Sequence, residues 1–140
     1  MILLDTNIIS EVMRRQPAPA VIAWLDVQAA EALWISSITL FELRFGLANL
    51  IDGRRKIWLE EQLQELVQGE LGNRVAVFDV RAADRAAALA AERKASGRPV
   101  DIRDTFIAGV ALANGAVLAT RNTRHFDDLA VPVVNPWDFQ

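Results

Sequence analysis

Apolar residues along this chain fall into two kinds of pattern. Short unbroken runs occur at Ile2-Leu3-Leu4 and Leu33-Trp34-Ile35-Ser36, and again over 75–78, 116–119 and 131–134. Runs of this length, bounded by turn residues, predict buried strands. The stretches between them carry apolar residues at helical spacing. Leu40, Leu43, Leu47 and Leu50 mark a helix over 39–50; Ile57, Leu59, Leu63, Leu66 and Val67 mark another over 53–67. Shorter helices are expected over 8–13 and over 20–26, the latter with Val21, Trp24 and Leu25 on one side. An Ala-rich helix over 82–95 stops at Ser96-Gly97, and a helix over 105–113 stops at Asn114-Gly115. Strands alternating with helices, each strand a continuous apolar run, predict an α/β fold with a mostly parallel sheet covered on both faces.

The length, 140 residues, predicts a single domain over 1–140. Hydrophobic residues make up 52% of the chain, which excludes a disordered polypeptide. There is no cysteine, so disulfides, thiolate metal sites and a cysteine nucleophile are excluded. A single histidine, His125, excludes any site needing two from one chain. The net charge of −3 argues against a protein that coats nucleic acid by bulk charge. No stretch reads as a signal peptide or a membrane span, so a cytoplasmic protein without membrane attachment is the expectation.

Ligands of an open parallel sheet bind beyond the carboxyl ends of its strands. Asp5 follows the first predicted strand. Ser36-Ser37 ends the second, and Glu42 lies in the first turn of the helix after it. Thr120-Arg121-Asn122 follows the fourth, and Asp104 opens the helix that leads into that strand. Three carboxylates and an amide could thus meet at one edge. Clustered carboxylates resist ionisation unless a cation sits among them, and oxygen donors without Cys or a His pair favour Mg²⁺ or Mn²⁺. Each residue also has a purely structural reading. Asp5 could cap a helix, Thr39-x-x-Glu42 matches a capping box, Asp104 suits a first helical turn, and Asn122 suits a turn.

The joint pattern resembles a known family. Leu3-Leu4-Asp5-Thr6-Asn7 is similar to the opening motif of PIN-domain ribonucleases. Ser36-Ser37-Ile38-Thr39-Leu40-Phe41-Glu42-Leu43, with Gly46 after it, resembles the second motif; Asp101-Ile102-Arg103-Asp104-Thr105-Phe106-Ile107-Ala108 resembles the third. Leu118-Ala119-Thr120-Arg121-Asn122 resembles the fourth, and Pro136-Trp137 a frequent ending. The nearest group looks like the short bacterial toxins of VapBC and FitAB type toxin–antitoxin pairs. The resemblance implies a three-layer α/β/α sandwich with about five strands, and Mg²⁺- or Mn²⁺-dependent hydrolysis of RNA phosphodiester bonds. It also implies a cognate antitoxin as partner and a homodimer that can assemble with it into a larger complex.

Carried over by motif, Asp5, Glu42 and Asp104 match the family's core acidic positions, and Asn122 stands where a less regular fourth acid falls. Many members also carry an acid where this chain has His125. The resemblance assigns metal to Asp5 and Asp104, and makes Glu42 a ligand or the group that orients the attacking water. Thr6, Asn7, Asp101, Thr120 and Arg121 are expected around them, supporting the site or the substrate. His125 is left outside the catalytic set, and Glu11 reads as either a supporting or a solvated residue. Arg121 and Arg124 read equally as phosphate contacts and as a solvated turn, while Arg54-Arg55-Lys56 reads as a solvated helix start. The four tryptophans read as core or interface anchors. Phe45 and Trp58, with Phe41 and Ile57, widen the apolar surface of the two long helices into a groove expected to take an antitoxin helix. The competing readings are a catalytically silent interaction module of the same fold, with Asn122 as a mark of decay, and a metal-dependent DNA nuclease.

Overall fold

The computed structural model describes residues 1–140. Five strands form one parallel sheet: β1 (Ile2–Leu4), β2 (Leu33–Ser36), β3 (Val75–Ala76), β4 (Val117–Ala119) and β5 (Val133–Val134). Their order across the sheet is β3-β2-β1-β4-β5, and every neighbouring pair is parallel. The chain therefore builds outward from β1 to one side, then returns to lay β4 and β5 on the other. The switch in direction lies between β1 and β4, where Leu4 pairs with Ala119.

Six helices cover the sheet: α1 (Thr6–Val12), α2 (Pro19–Asp26), α3 (Ser37–Ala48), α4 (Arg54–Glu65), α5 (Val80–Ala95) and α6 (Ile102–Asn114). Continuous apolar strands need cover on both faces, and two separate cores provide it. One packs Leu3 and Leu118 against Ala82 and Leu89 of α5, Ile107, Val110 and Ala111 of α6, and Phe126. The other packs Leu4, Ile35 and Ala119 against Ile8 and Ile9 of α1, Val21 of α2, and Leu63 and Val67. Helix α3 contributes Ile38 to the first core and Leu40, Leu43 and Leu47 to the second. No helix is long and apolar enough to cross a membrane.

The elements match the expected alternation, with informative differences at their ends. The two edge strands are shorter than the apolar runs that predicted them. The Phe78 N–H donates to Ser37 Oγ at 3.0 Å, which draws the chain out of the sheet after Ala76. At the other edge, Pro132 has no N–H to give to a ladder. Helix α3 starts two residues early because Ser36, not Thr39, is its cap: Ser36 Oγ accepts from the Thr39 N–H at 3.0 Å. The expected Thr39-x-x-Glu42 capping box is therefore absent, and Glu42 sits in the second turn with its carboxylate free for other work. Helix α4 does not run on to Val67; its end loosens into a π-helical turn, Leu66–Glu70.

Helices α5 and α6 approach closely because both present small residues. A Cβ placed on Gly109 would lie 2.5 Å from the Ala82 carbonyl oxygen and 2.8 Å from Ala86 Cβ, so only glycine fits there. The segment after β4 is pinned to α5 by Arg93, whose buried guanidinium donates twice to Asp128, at 2.8 Å each, and to the His125 carbonyl at 2.7 Å.

Candidate active site

Strands β1, β2 and β4 end at the same edge, so the residues that follow them are brought together by the register itself. Asp5 caps α1 at the switch point between β1 and β4, with only 4% of its surface exposed. Its Oδ1 accepts from the Thr6 N–H at 2.7 Å, and its Oδ2 accepts from Thr120 Oγ1 at 2.7 Å. Asn7 Nδ2 donates to Asp5 Oδ2 at 3.4 Å and to Thr120 Oγ1 at 3.3 Å. On the far side of Asn7, Oδ1 accepts from the Arg121 N–H at 3.3 Å. Thr120 Oγ1 also accepts from the Asn122 N–H at 3.0 Å. Asn7 and Thr120 thus lock the turns after β1 and β4 to each other, and Asp5 is held by both.

From the third element, Glu42 reaches in from α3. Its Oε1 accepts from Thr6 Oγ1 at 2.8 Å, while Thr6 also contacts buried Thr39 at 3.1 Å. Arg103 stands 3.7 Å from the other Glu42 oxygen. Asp104 comes from the first turn of α6, where its N–H is held by Asp101 Oδ1 at 3.0 Å. The open face is a cleft of about 520 Å³ lined by Asp5, Thr6, Asn7, Glu42, Asp104, Arg121 and Asn122.

Of the catalytic, metal and supporting residues assigned from the sequence, those seven line the cleft, and buried Thr120 bonds to Asp5 within it. Asp101 does not line it: its carboxylate is spent on capping α6. Asn122 occupies the position before a short 3-10 turn but makes no side-chain cap bond, so it does not serve as a turn cap. Phe45 does not line the depression that Trp58 lines. Phe45 stacks on Phe41 at 5.7 Å on the exposed side of α3, whereas Trp58 faces a second depression beside Leu43 and Leu47. Of the four residues expected to widen one groove, Phe41, Phe45, Ile57 and Trp58, only Trp58 lines this depression.

Three residues that the sequence placed outside the site or left open enter it. His125 Nδ1 lies 2.9 Å from Asp104 Oδ2, a contact set by the turn after β4 and invisible in spacing alone. Glu11 is buried in the cleft wall, where it accepts from the Ala18 N–H at 2.9 Å and from Arg14 at 3.2 Å. Trp137 lies under Arg121, its ring 4.9 Å from the guanidinium carbon, and steadies that cation at the mouth. Arg124, in contrast, stays outside the cleft and offers its carbonyl to Arg98.

Burial pushes the Asp5 carboxyl up to about 6; the Thr120 and Thr6 hydrogen bonds oppose this, and the nearby Asp104 and Glu42 charges add to it. This is the signature of negative charge held without compensation. The donor set is all hard oxygen, which fits Mg²⁺ or Mn²⁺ and no softer ion. No three acidic or histidine side chains converge as a ready-made cage, since Glu42 and Asp104 each lean on a neighbour.

An open parallel α/β sheet with acidic residues from three elements at its switch point defines a class of domain, and comparison with known families names it. The PIN domain model matches residues 2–132, and the chain belongs to that family. It is 42% identical over 138 residues to the VapC ribonuclease Y4jK of Sinorhizobium fredii, with 99% of both chains covered. It is 39% identical over 137 residues to the toxin FitB of Neisseria gonorrhoeae, covering 98% of this chain and 99% of that one. The crystal structure of FitAcB from Neisseria gonorrhoeae superposes with a TM-score of 0.91 at 39% identity, covering 99% of this chain and all of that one.

Proposed function

We propose that this protein is the toxin of a type II toxin–antitoxin pair and acts as a divalent-metal-dependent endoribonuclease. The observation that carries the reading is the buried Asp5 at the switch point, sharing one cleft with Glu42 and Asp104. The names of its relatives, a VapC ribonuclease and a FitB toxin, support the same reading. Asp5 and Asp104 would hold Mg²⁺ or Mn²⁺. A divalent cation there supplies an acidified water and neutralises charge building on the phosphate.

The chain's own residues do the rest. Thr6 and Thr120 fix the Asp5 carboxylate by donating to each of its oxygens, so it enters the cleft in one orientation. Thr6 also holds Glu42, which can accept a proton from the attacking water while Arg103 steadies its other oxygen. Arg121, braced on Trp137, offers a cation to the scissile phosphate. Asn122 adds an amide at the rim, able to orient water but bringing no charge.

The partner in this reading is a small antitoxin protein. The exposed Phe41–Phe45 stack is the apolar surface on this toxin that an amphipathic helix would cover. Phe45→Asp is then expected to weaken antitoxin binding about tenfold or more in a calorimetric titration, with the fold unchanged by circular dichroism. Equal affinity would remove that stack from the interface.

One observation favours a second reading, the silent module: Glu42 and Asp104 are each engaged by a neighbour rather than gathered around one point. Calorimetric titration of Mg²⁺ and Mn²⁺ into the protein separates the two. The proposal expects an isotherm that is lost in Asp5→Asn and in Asp104→Asn. No heat of binding with either ion, or the same isotherm in both variants, contradicts it.

A further inference from the structure

Beside the carboxylate cleft lies a larger depression of about 1220 Å³, and the two are continuous: both are lined by Thr6, Ser10, Arg14 and Glu42. It runs from the carboxylates past the end of α1 to the start of α4. Its charge is opposite to that of the cleft. Arg14, Arg15, Arg54 and Arg55 line it, and past Glu42 at the shared end it contains no acidic side chain. This is unusual for a chain with a net charge of −3.

Three of these four cations have no partner in the fold. Arg14 pairs with Glu11, but Arg15, Arg54 and Arg55 take part in no ion pair. Arg54 and Arg55 also open α4, the helix end at which the backbone dipole disfavours positive charge, and no acidic residue in that turn offsets it. The acidic residue nearest that end in sequence, Asp52 just before the cap, is paired with Lys56. Trp58, one turn further along α4 and with 39% of its surface exposed, lines the same depression.

We infer that this depression is the track for the RNA strand flanking the scissile bond, with Arg15, Arg54 and Arg55 holding its phosphates and Trp58 stacking on one base. The inference rests on the ribonuclease reading above and adds to it the path of the substrate. A polyanion satisfies the unpaired arginines and the helix start together, and an unstacked base has the flat apolar face that Trp58 can cover. A strand that entered only the cleft would meet carboxylates; one lying along this track meets cations up to the point of cleavage.

The test is the binding of a fluorescein-labelled single-stranded oligoribonucleotide of mixed sequence, followed by anisotropy across a salt series. All proteins carry Asp5→Asn so that the probe stays intact. Arg54→Ala with Arg55→Ala should weaken binding about tenfold or more and flatten the plot of log affinity against log salt by about 0.7 for each arginine removed. Trp58→Ala should cost about tenfold, and Trp58→Phe should restore most of it. Arg85→Ala, on α5 across the sheet, should change neither quantity. In the active protein the double arginine variant should raise KM and leave kcat near its starting value.

Unchanged affinity and slope, in a protein that still cuts RNA, would overturn the track and leave the ribonuclease standing. The same result with antitoxin binding lost instead would reassign the depression to a protein partner. A protein with Asp5 restored that neither binds nor cuts RNA would remove the ribonuclease reading and the track with it.

Discussion

Asp5 carries an energetic cost that a cation in the proposed site would offset. Burial favours its neutral form, so the folded protein takes up a proton between about pH 4 and its shifted value of about 6. The folded state binds more protons than the unfolded chain in that window, so stability falls as pH rises through it, by roughly 2–3 kcal/mol in all. In EDTA, Asp5→Asn should therefore melt above the wild type at pH 7 and close to it at pH 4. Thermal unfolding followed by circular dichroism across this range reads the effect, and a flat difference would mean that Asp5 is not held at a cost. Adding Mg²⁺ should recover the lost stability in the wild type alone. At this level the sequence was highly informative. Asp5, Glu42 and Asp104 could be placed because each follows a strand or opens a helix at one sheet edge. The contact of His125 with Asp104 could not be read, since it depends on the three-dimensional path of a turn rather than on any periodicity. Glu11 was left open between a supporting and a solvated residue, because its burial depends on where Ala18 returns the chain.

Between elements, two contacts set the geometry of the site from a distance. Arg93 holds the segment bearing Asn122 and His125 against α5. Hydrogen bonding to Arg93 holds the Asp128 carboxyl below the usual carboxylate range, so the pair contributes above that range and is lost as pH falls through it, opposite in sign to Asp5. Asp128→Ala leaves the Arg93 guanidinium buried without a counter-charge and is expected to cost about 3–5 kcal/mol. A smaller loss in urea unfolding would show that water reaches Arg93. Gly109 is the second contact. Gly109→Ala forces α5 and α6 apart and should cost about 1–3 kcal/mol, where an ordinary helical site would gain from the same change. A rise in the urea midpoint would contradict the close approach. The alternation of strands and helices was readable because buried parallel strands leave unbroken apolar runs. Element ends were not, because they are decided by single hydrogen bonds such as Ser36 to Thr39 and Ser37 to Phe78. The role of Gly109 was hidden for a related reason: a glycine in a helix shows its purpose only against the neighbour it admits.

Taken as one body, the protein divides its charge. Carboxylates gather where the sheet changes direction, and unpaired arginines line the depression that leads there. An acidic chain can bind a polyanion only through such local separation, reinforced by a bound cation. Phe41 and Phe45 line neither, so in the proposed reading substrate and partner need not share every contact. Which of Phe41, Phe45, Ile57 and Trp58 lines the depression was not readable, because helical spacing gives the face of a residue but not its depth beside a neighbouring helix. The most decisive experiment is cleavage of a panel of structured RNAs by purified, antitoxin-free protein with Mg²⁺, with Mn²⁺ and with EDTA, beside Asp5→Ala and Asp104→Ala. Cuts that require the ion and vanish in both variants, while the variants keep their circular dichroism spectra, are the predicted result. Cuts that persist in EDTA, or in both variants, would contradict it.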